Sequence, residues 1–314
     1  RFRRSWGGLC MKILLIAGGW SPEREVSLSG ARAMVPALEA RGHQVTFFDL
    51  LADFNHLLDE AQKHDFALIN LHGAPGEDGL VQAMLDRVGC PYQGSDPAGS
   101  FLALNKCAAK QLFRLAGLPT ADWAFVPAPP EKDWQPSLPY PLFVTGTARR
   151  PSLRLGRAAN RAELDDVRGQ IFAAGEEVIM EPELHGKEVT CGILGEEPLP
   201  PILIEPVAGA FFDYESKYAQ DGAREICPAP IGDEITARVQ EMTLAAHRVL
   251  GLRGYSRADF ILGQDGSLTL LEVNTLPGMT ATSLVPREAR TIGLDFGQLL
   301  ECLINLGLAD CGKK

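Results

Sequence analysis

The stretch Tyr255–Thr280, YSRADFILGQDGSLTLLEVNTLPGMT, decides how this chain is read. Two apolar runs, Tyr255–Leu262 and Leu268–Val273, flank Gln264-Asp265-Gly266-Ser267. Asp-Gly between apolar runs predicts a two-residue hairpin turn. With Asp265-Gly266 as the loop, Gln264 pairs with Ser267, Asp259 faces Glu272, and Arg257 faces Asn274. Side chains alternate along a strand, so these four project from one sheet face. The other face carries Ala258, Phe260, Leu262, Thr269, Leu271 and Val273, which read as core.

Two carboxylates directly opposite each other repel. Either one takes up a proton or a cation lies between them. Asn274 adds a neutral oxygen one step along. Aspartate, glutamate and an amide oxygen, without cysteine or histidine, suit hard Mg²⁺ rather than zinc. Mg²⁺ held by so few protein ligands draws the rest from phosphates and water. Arg257 is placed to hold a phosphate or a developing anion. The loop from Asn274 to Thr280 offers backbone N–H groups to an oxyanion. The segment therefore reads as a divalent-metal and nucleotide-phosphate site of an ATP-dependent enzyme.

Working outward, a third unit begins near Gly186, with strands at Glu188–Leu194 and Ile202–Glu205. A polar loop over Asp213–Arg224, a helix over Asp233–Leu250 and a last helix near Phe296–Leu306 complete it. A second unit runs from about Asp96 to His185. Its first helix, Asn105–Ala116, stops at Gly117 with Pro119 beyond. Pro127–Pro141 holds six prolines and reads as a surface linker or extended loop. Strands at Leu142–Val144 and Val178–Glu181 enclose a helix near Arg161–Ala174. In the first unit, apolar runs at Ile13–Ala17, Val45–Phe48 and Phe66–Leu71 alternate with helical segments at Glu23–Arg41 and Phe54–Lys63. That alternation predicts a parallel sheet with helices on its faces. Gly18-Gly19 follows the first strand, at the end where such sheets place ligands. The expected fold is mixed α/β and α+β. Expected boundaries are an extension at 1–10, a substrate domain at 11–95, and two further subdomains at 96–185 and 186–314.

The 314 residues suffice for two or three cores, and 46% hydrophobic with 22% charged content is that of a globular protein. A net charge of −10 excludes a general nucleic-acid or membrane-surface binder, which needs a basic face. Seven scattered cysteines without Cys-x-x-Cys spacing read as reduced thiols of a cytoplasmic protein. No apolar run approaches the ~20 residues of a membrane span. Residues 1–10 are basic but lack the apolar core of a signal peptide.

Several segments carry a resemblance to a known family. They are Gly18–Leu28 (GGWSPEREVSL), Leu71–Gly79 (LHGAPGEDG), Pro91–Ser95 (PYQGS), Asp213–Tyr218 (DYESKY), Arg257–Asp259, and Glu272–Thr280 with Ser283-Leu284. In this order they resemble the D-alanine–D-alanine ligases of the ATP-grasp superfamily, from Met11 nearly to the end. The resemblance implies an N-terminal parallel-sheet domain followed by a two-subdomain ATP-grasp fold. It implies ATP-dependent, ADP-forming ligation of two D-alanines through an acyl phosphate, for peptidoglycan precursors and hence cell-wall biogenesis and cell shape. Two Mg²⁺, with Mn²⁺ as a substitute, would sit at Asp259, Glu272 and Asn274. The implied catalytic residues are Glu23, Arg257, Gly278, Tyr218 and Ser152. His72, Ser283 and Leu284 match substrate contacts; Lys106, Glu181, Glu188 and Lys217 match nucleotide contacts. A homodimer is implied, with D-alanine and ATP as the small-molecule partners and neither nucleic acid nor membrane.

One stretch departs from the family. Its members carry Val-Lys-Pro and then Gly-Ser-Ser, where this chain reads Val144-Thr145 and later Arg150-Pro151-Ser152. Thr145 stands in place of a nucleotide lysine, and proline has no N–H to offer a phosphate. Arg149 or Arg150 would be the compensating cation. Two other readings follow from this departure and from the family's breadth. One is an impaired homologue that binds or regulates; the other is a ligase for other amino or hydroxy acids.

Overall fold

A computed structural model describes residues 10–131, 133–147, 156–206 and 223–311. Ser152, Lys217 and Tyr218 lie outside the described residues, as do Arg149, Arg150, Pro151, nearly all of the 1–10 extension and most of the Asp213–Arg224 loop.

The first sheet is parallel, in the order β2-β1-β3, formed by Gln44–Asp49 (β2), Lys12–Ala17 (β1) and Phe66–Asn70 (β3). Residues Ile13–Ala17 and Phe66–Asn70 are buried throughout, as expected for strands covered on both faces. Helix α1 (Arg24–Glu39) covers the sheet through Ala31, Met34 and Leu38. The single helix expected over Phe54–Lys63 is instead broken into α2 (Leu50–Asp53), a 3₁₀ turn (Phe54–His56) and α3 (Leu57–Ala61). Asp49 starts the first piece early by accepting from Leu51 N at 3.1 Å, so the chain turns helical directly off β2. Helix α4 (Leu80–Val88), which the sequence reading leaves out, starts at Gly79, whose φ is 86°, and stops at the left-handed Gly89.

Next come α5 (Pro97–Leu104) and α6 (Lys106–Leu115), joined at Asn105, whose side chain caps α6 by accepting from Ala108 N at 3.0 Å. A four-stranded antiparallel sheet follows, ordered β4-β7-β5-β6: Ala124–Val126, Val178–Pro182, Leu142–Gly146 and Gly156–Ala158. Helix α7 (Arg161–Ala173) packs Leu164 and Ile171 into it. The proline-rich stretch is more than a linker, since Trp134, Leu138 and Tyr140 pack against this core.

The remaining strands form a six-stranded sheet ordered β11-β10-β8-β12-β13, with β9 paired to β8. They span Ala223–Ile226 (β11), Ile202–Pro206 (β10), Lys187–Leu194 (β8), Glu197–Pro198 (β9), Tyr255–Leu262 (β12) and Leu268–Asn274 (β13). Helices α8 (Asp233–Val249), α9 (Leu284–Thr291) and α10 (Phe296–Cys311) complete the fold. Ala109 and Phe113 of α6 share a core with Phe260, Leu268, Leu270 and Val273, which fixes the start of α6 against β13. Leu299, Leu300, Leu303 and Ile304 of α10 belong to the core of the first sheet. Among the described residues, no single helix is long and apolar enough to cross a membrane.

The β12–β13 hairpin pairs Asp259 with Glu272 and Arg257 with Asn274, as the sequence predicts, but by another route. The loop has three residues, not two. Gly263 N donates to Ser267 O at 2.9 Å, and Gly266 takes the left-handed conformation, φ 79°. Leu262 therefore opposes Leu268, and Leu268 and Leu270 enter the core in place of Thr269 and Leu271. A β-bulge beyond Phe260–Leu270 inserts Leu271 and restores the expected register from Asp259 onward. Without that extra residue, Glu272 and Asn274 would alternate in phase with Leu270 and point into the core.

Candidate active site

Arg257 grips Asp259 with two parallel bonds, Nε to Oδ1 and Nη2 to Oδ2, each 2.9 Å. Thr190, opposite Asp259 on β8, donates its hydroxyl to Oδ1 at 2.6 Å. Burial pushes the Asp259 carboxyl up and Glu272 adds to this. The charge and hydrogen bonds of Arg257, with Thr190, outweigh them and hold it below the usual carboxylate range. Glu272 forms an ion pair with Lys106 Nζ at the start of α6. The cation required between the opposed carboxylates is thus supplied by side chains, Arg257 on one and Lys106 on the other. The sequence offers a proton or a cation between them, and names Mg²⁺ from the ligand set without showing that Lys106 would be one of the cations.

Asn274 Oδ1 accepts from Leu276 N at 3.0 Å, which starts the loop after β13 and fixes the amide orientation. The carbonyl oxygen keeps a second lone pair. Asp259, Glu272 and Asn274 therefore present only oxygen, from two carboxylates and one amide. Among the described residues, no group of three or more His, Cys, Asp or Glu could hold a metal ion. The donor set fits a hard divalent cation that takes part of its coordination from phosphate and water.

The loops of the first sheet reach this end of the hairpin. A Cβ at Gly76 would stand 3.2 Å from Leu276 Cδ1, and one at Gly30 would stand 3.2 Å from Met279 O. A Cβ at Gly19 would stand 3.3 Å from Leu71 Cδ2. The Gly18-Gly19 turn, the Leu71–Gly76 loop and the 275–280 loop therefore converge. Glu23 is the residue preceding α1, just beyond the first of these loops, and His72, 8% exposed, lies in the second. Gly18 cannot carry a side chain, because its φ is 79° and a Cβ would stand 2.4 Å from Arg24 Nη1. That Arg24 is paired with Asp49 through Nη1 at 2.8 Å.

Ser283 precedes α9, and its Oγ accepts from Thr280 N at 3.0 Å; a Cβ at Gly278 would stand 3.0 Å from that oxygen. Gly278 and Ser283 are thus brought together, with Leu284 opening the helix. Glu181 on β7 is paired with Lys110 Nζ at 2.7 Å. Lys110 is 1% exposed and also donates to Thr120 Oγ1 at 2.8 Å. Glu188 is half-buried on β8, opposite Ile261 and Ile204. Thr145 lies in β5 opposite Ile179 and is 7% exposed.

Sequence reasoning missed Lys110, Thr190 and Glu288. Lys110 was discoverable: it follows Lys106 by four residues, so both lie on one helix face. Thr190 and Glu288 carry no local signal, because their partners belong to other strands.

Comparison with known proteins identifies the family. A family model described as the D-ala D-ala ligase C-terminus matches residues 112–305. The D-alanine–D-alanine ligase of Desulfovibrio desulfuricans is 85% identical over 304 residues, covering 97% of this chain and 99% of that protein. Its counterpart in Nitratidesulfovibrio vulgaris is 61% identical over 303 residues, covering 96% of this chain and 100% of that protein. A crystal structure of D-alanine–D-alanine ligase from Bacillus anthracis complexed with ATP superimposes with a TM-score of 0.86 at 32% identity. It covers 98% of this chain and 99% of that chain.

Proposed function

The chain belongs to the D-alanine–D-alanine ligase family, and from that premise we propose how its own residues carry out the ligation. The enzyme joins two D-alanines into D-alanyl-D-alanine with ATP as co-substrate, releasing ADP and phosphate, for peptidoglycan precursor synthesis. The carboxylate of the first D-alanine attacks the terminal phosphoryl group, giving an acyl phosphate and ADP. The amine of the second attacks that carbonyl, a tetrahedral intermediate forms, and phosphate leaves with loss of a proton.

The observation that carries the assignment is the paired face of β12 and β13. It sets Arg257, Asp259, Glu272 and Asn274 together, with Lys106 reaching Glu272 from α6. Asp259, Glu272 and Asn274 would hold Mg²⁺, two ions in our reading, with Mn²⁺ as a substitute. Bound there, the metal supplies charge neutralisation for phosphoryl oxygens. Lys106 has its ammonium at the same place and would turn to a phosphate. Arg257, anchored by Asp259, is pre-oriented for the oxyanion of the tetrahedral intermediate, with the Gly278 N–H as the second donor. Glu23 would take the ammonium of the first D-alanine, with His72 beside it on the adjoining loop. Ser283 and Leu284 would line the pocket for the second. Glu181, held by Lys110, and Glu188 would face the adenosine. Ser152, Tyr218 and Lys217 are assigned by sequence resemblance alone, to the phosphates and to closure over the reacting centre. The substrate domain at 11–95, the subdomains at 96–185 and 186–314, a homodimer and a cytoplasmic location complete the proposal.

The test is ADP release on mixing the enzyme with ATP, Mg²⁺ and D-alanine. Glu272→Ala is expected to abolish it, and to weaken Mn²⁺ binding in the presence of ADP as read by electron paramagnetic resonance. Full activity in Glu272→Ala, or no D-alanine dependence in the unmodified enzyme, would sink the assignment.

A further inference from the structure

We propose that Glu288 is a positioning residue: it locks helix α9, whose first end carries Ser283 and Leu284, onto the strand behind Arg257, and so sets the pocket for the second amino acid. This rests on the reading of Ser283 and Leu284 given above.

The observation is a carboxyl group where the chain has no ordinary use for one. Glu288 is 0% exposed in the middle of α9. Its Oε1 accepts from Gly192 N at 2.9 Å, and its Oε2 has no hydrogen-bond partner among the described residues. A buried carboxyl with one oxygen left unpartnered is costly, so a packing accident is a poor explanation.

The sheet explains what the group does. In an antiparallel strand the N–H and C=O of one residue point to the same side. The Gly192 carbonyl accepts from Leu199 N at 2.8 Å, so its N–H faces the same flank of β8. On that flank β8 changes partner: pairing with β10 reaches Thr190↔Ile202, and pairing with β9 begins at Ile193↔Pro198. Gly192 falls in the gap, and its N–H would be buried without a partner. Glu288 supplies the acceptor from a helix rather than from a strand.

Two further facts tie this joint to the site. Gly192 is the direct neighbour of Arg257 across the β8–β12 ladder. A Cβ at residue 192 would stand 2.4 Å from Glu288 Oε2, so any side chain there has to push the carboxyl aside. Glycine and glutamate are thus matched shapes. Burial pushes the Glu288 carboxyl well above the usual carboxylate range. The Gly192 N–H and the charge of Arg257 oppose this, and Asp259 reinforces it. Burial thus disfavours the charged form of Glu288, and Arg257 keeps both of its bonds to Asp259. Elsewhere α9 is pinned through Arg287 to Glu225, at 2.9 Å, and through Thr291 Oγ1 to Cys227 Sγ, at 3.3 Å. Glu288 is the tie that faces the arginine strand.

The experiment compares Glu288→Ala, Glu288→Gln and Gly192→Ala by ADP release with ATP, Mg²⁺ and D-alanine. The D-alanine saturation curve is resolved into donor and acceptor sites. Glu288→Ala is expected to raise the acceptor KM by about tenfold or more, leaving the ATP and donor KM within about twofold. Glu288→Gln, whose carbonyl can accept from Gly192, restores the acceptor KM to within about threefold of the unmodified enzyme. Gly192→Ala displaces the carboxyl and raises the acceptor KM as Glu288→Ala does, which keeps the proposal testable if Glu288→Ala does not fold. An unchanged acceptor KM in Glu288→Ala and Gly192→Ala overturns the proposal. So does a joint rise of all three KM values, or an equal effect of the alanine and glutamine changes. If the unmodified enzyme shows no D-alanine-dependent ADP release, the underlying functional reading fails instead.

Discussion

Lys106 and Arg257 each neutralise one of two carboxylates that would otherwise repel across a strand pair. Removing either leaves an uncompensated, largely buried charge. Lys106→Ala is expected to lower kcat by about 10²–10³, measured by coupled ADP release, because one fixed charge is lost from the phosphate side. Thr145 is buried in β5, at the position where the family resemblance implies a lysine. Thr145→Lys is expected to lower the ATP KM by on the order of tenfold, the value of one added counter-charge; an unchanged KM would count against a phosphate-facing position. His247 shows the opposite situation. Its Nδ1 meets Ser256 Oγ at 2.7 Å, its buried Nε2 has no partner among the described residues, and burial pushes the imidazole down to about 4. Between pH ~4 and ~6.5 the unfolded chain binds the proton more readily than the folded one. Stability from this group is therefore complete above ~6.5 and is lost as pH falls toward ~4, by on the order of 3 kcal/mol. Urea midpoints at pH 7.5 and pH 5 check the sign, and His247→Phe should flatten the difference.

At the scale of elements, the β12–β13 hairpin shows which patterns a sequence carries. The alternation that puts Arg257 and Asp259 on one face is local and was readable. The loop length was not, because Asp265-Gly266 suits both a two-residue loop and a three-residue loop with glycine in the left-handed conformation. The longer loop shifts Leu268 and Leu270 into the core, and the bulge at Leu271 shifts the phase back. Leu270→Ala is accordingly expected to cost about 2–5 kcal/mol by urea unfolding, the range for a fully buried leucine. Leu271→Ala should cost much less. An unbulged two-residue hairpin would give the reverse order, so the pair of variants discriminates the two registers. The break in the helix expected over Phe54–Lys63 has a similar origin. Hydrophobic spacing suggested one segment, whereas the Asp49 cap begins the helix at Leu50.

Over the whole molecule, the last helix closes the structure by returning to its beginning. His43 Nε2 meets Glu301 at 2.8 Å and Arg41 Nη2 meets Asp295 at 3.0 Å, tying the turn before β2 to α10. Because Leu299, Leu300, Leu303 and Ile304 are at most 1% exposed, truncation after Asp295 should strip the first sheet of one covering layer. Circular dichroism melts are expected to show loss of the cooperative transition, since each buried leucine is worth about 1.5–3 kcal/mol. The longer strands in their chain order, the bounds of the helices at Arg24–Glu39, Lys106–Leu115, Arg161–Ala173 and Asp233–Val249, and the placing of Arg257 and Asp259 on one face were determined by the sequence itself, because alternation, glycine stops and like-charge opposition act between near neighbours. Only the tertiary structure decided that Lys106 reaches Glu272 across 166 residues. It alone decided that Thr190 and Glu288 brace the strands behind Arg257, and that a bulge brings Glu272 outward. Those contacts depend on how whole elements pack, and no short-range pattern encodes the distance between two elements.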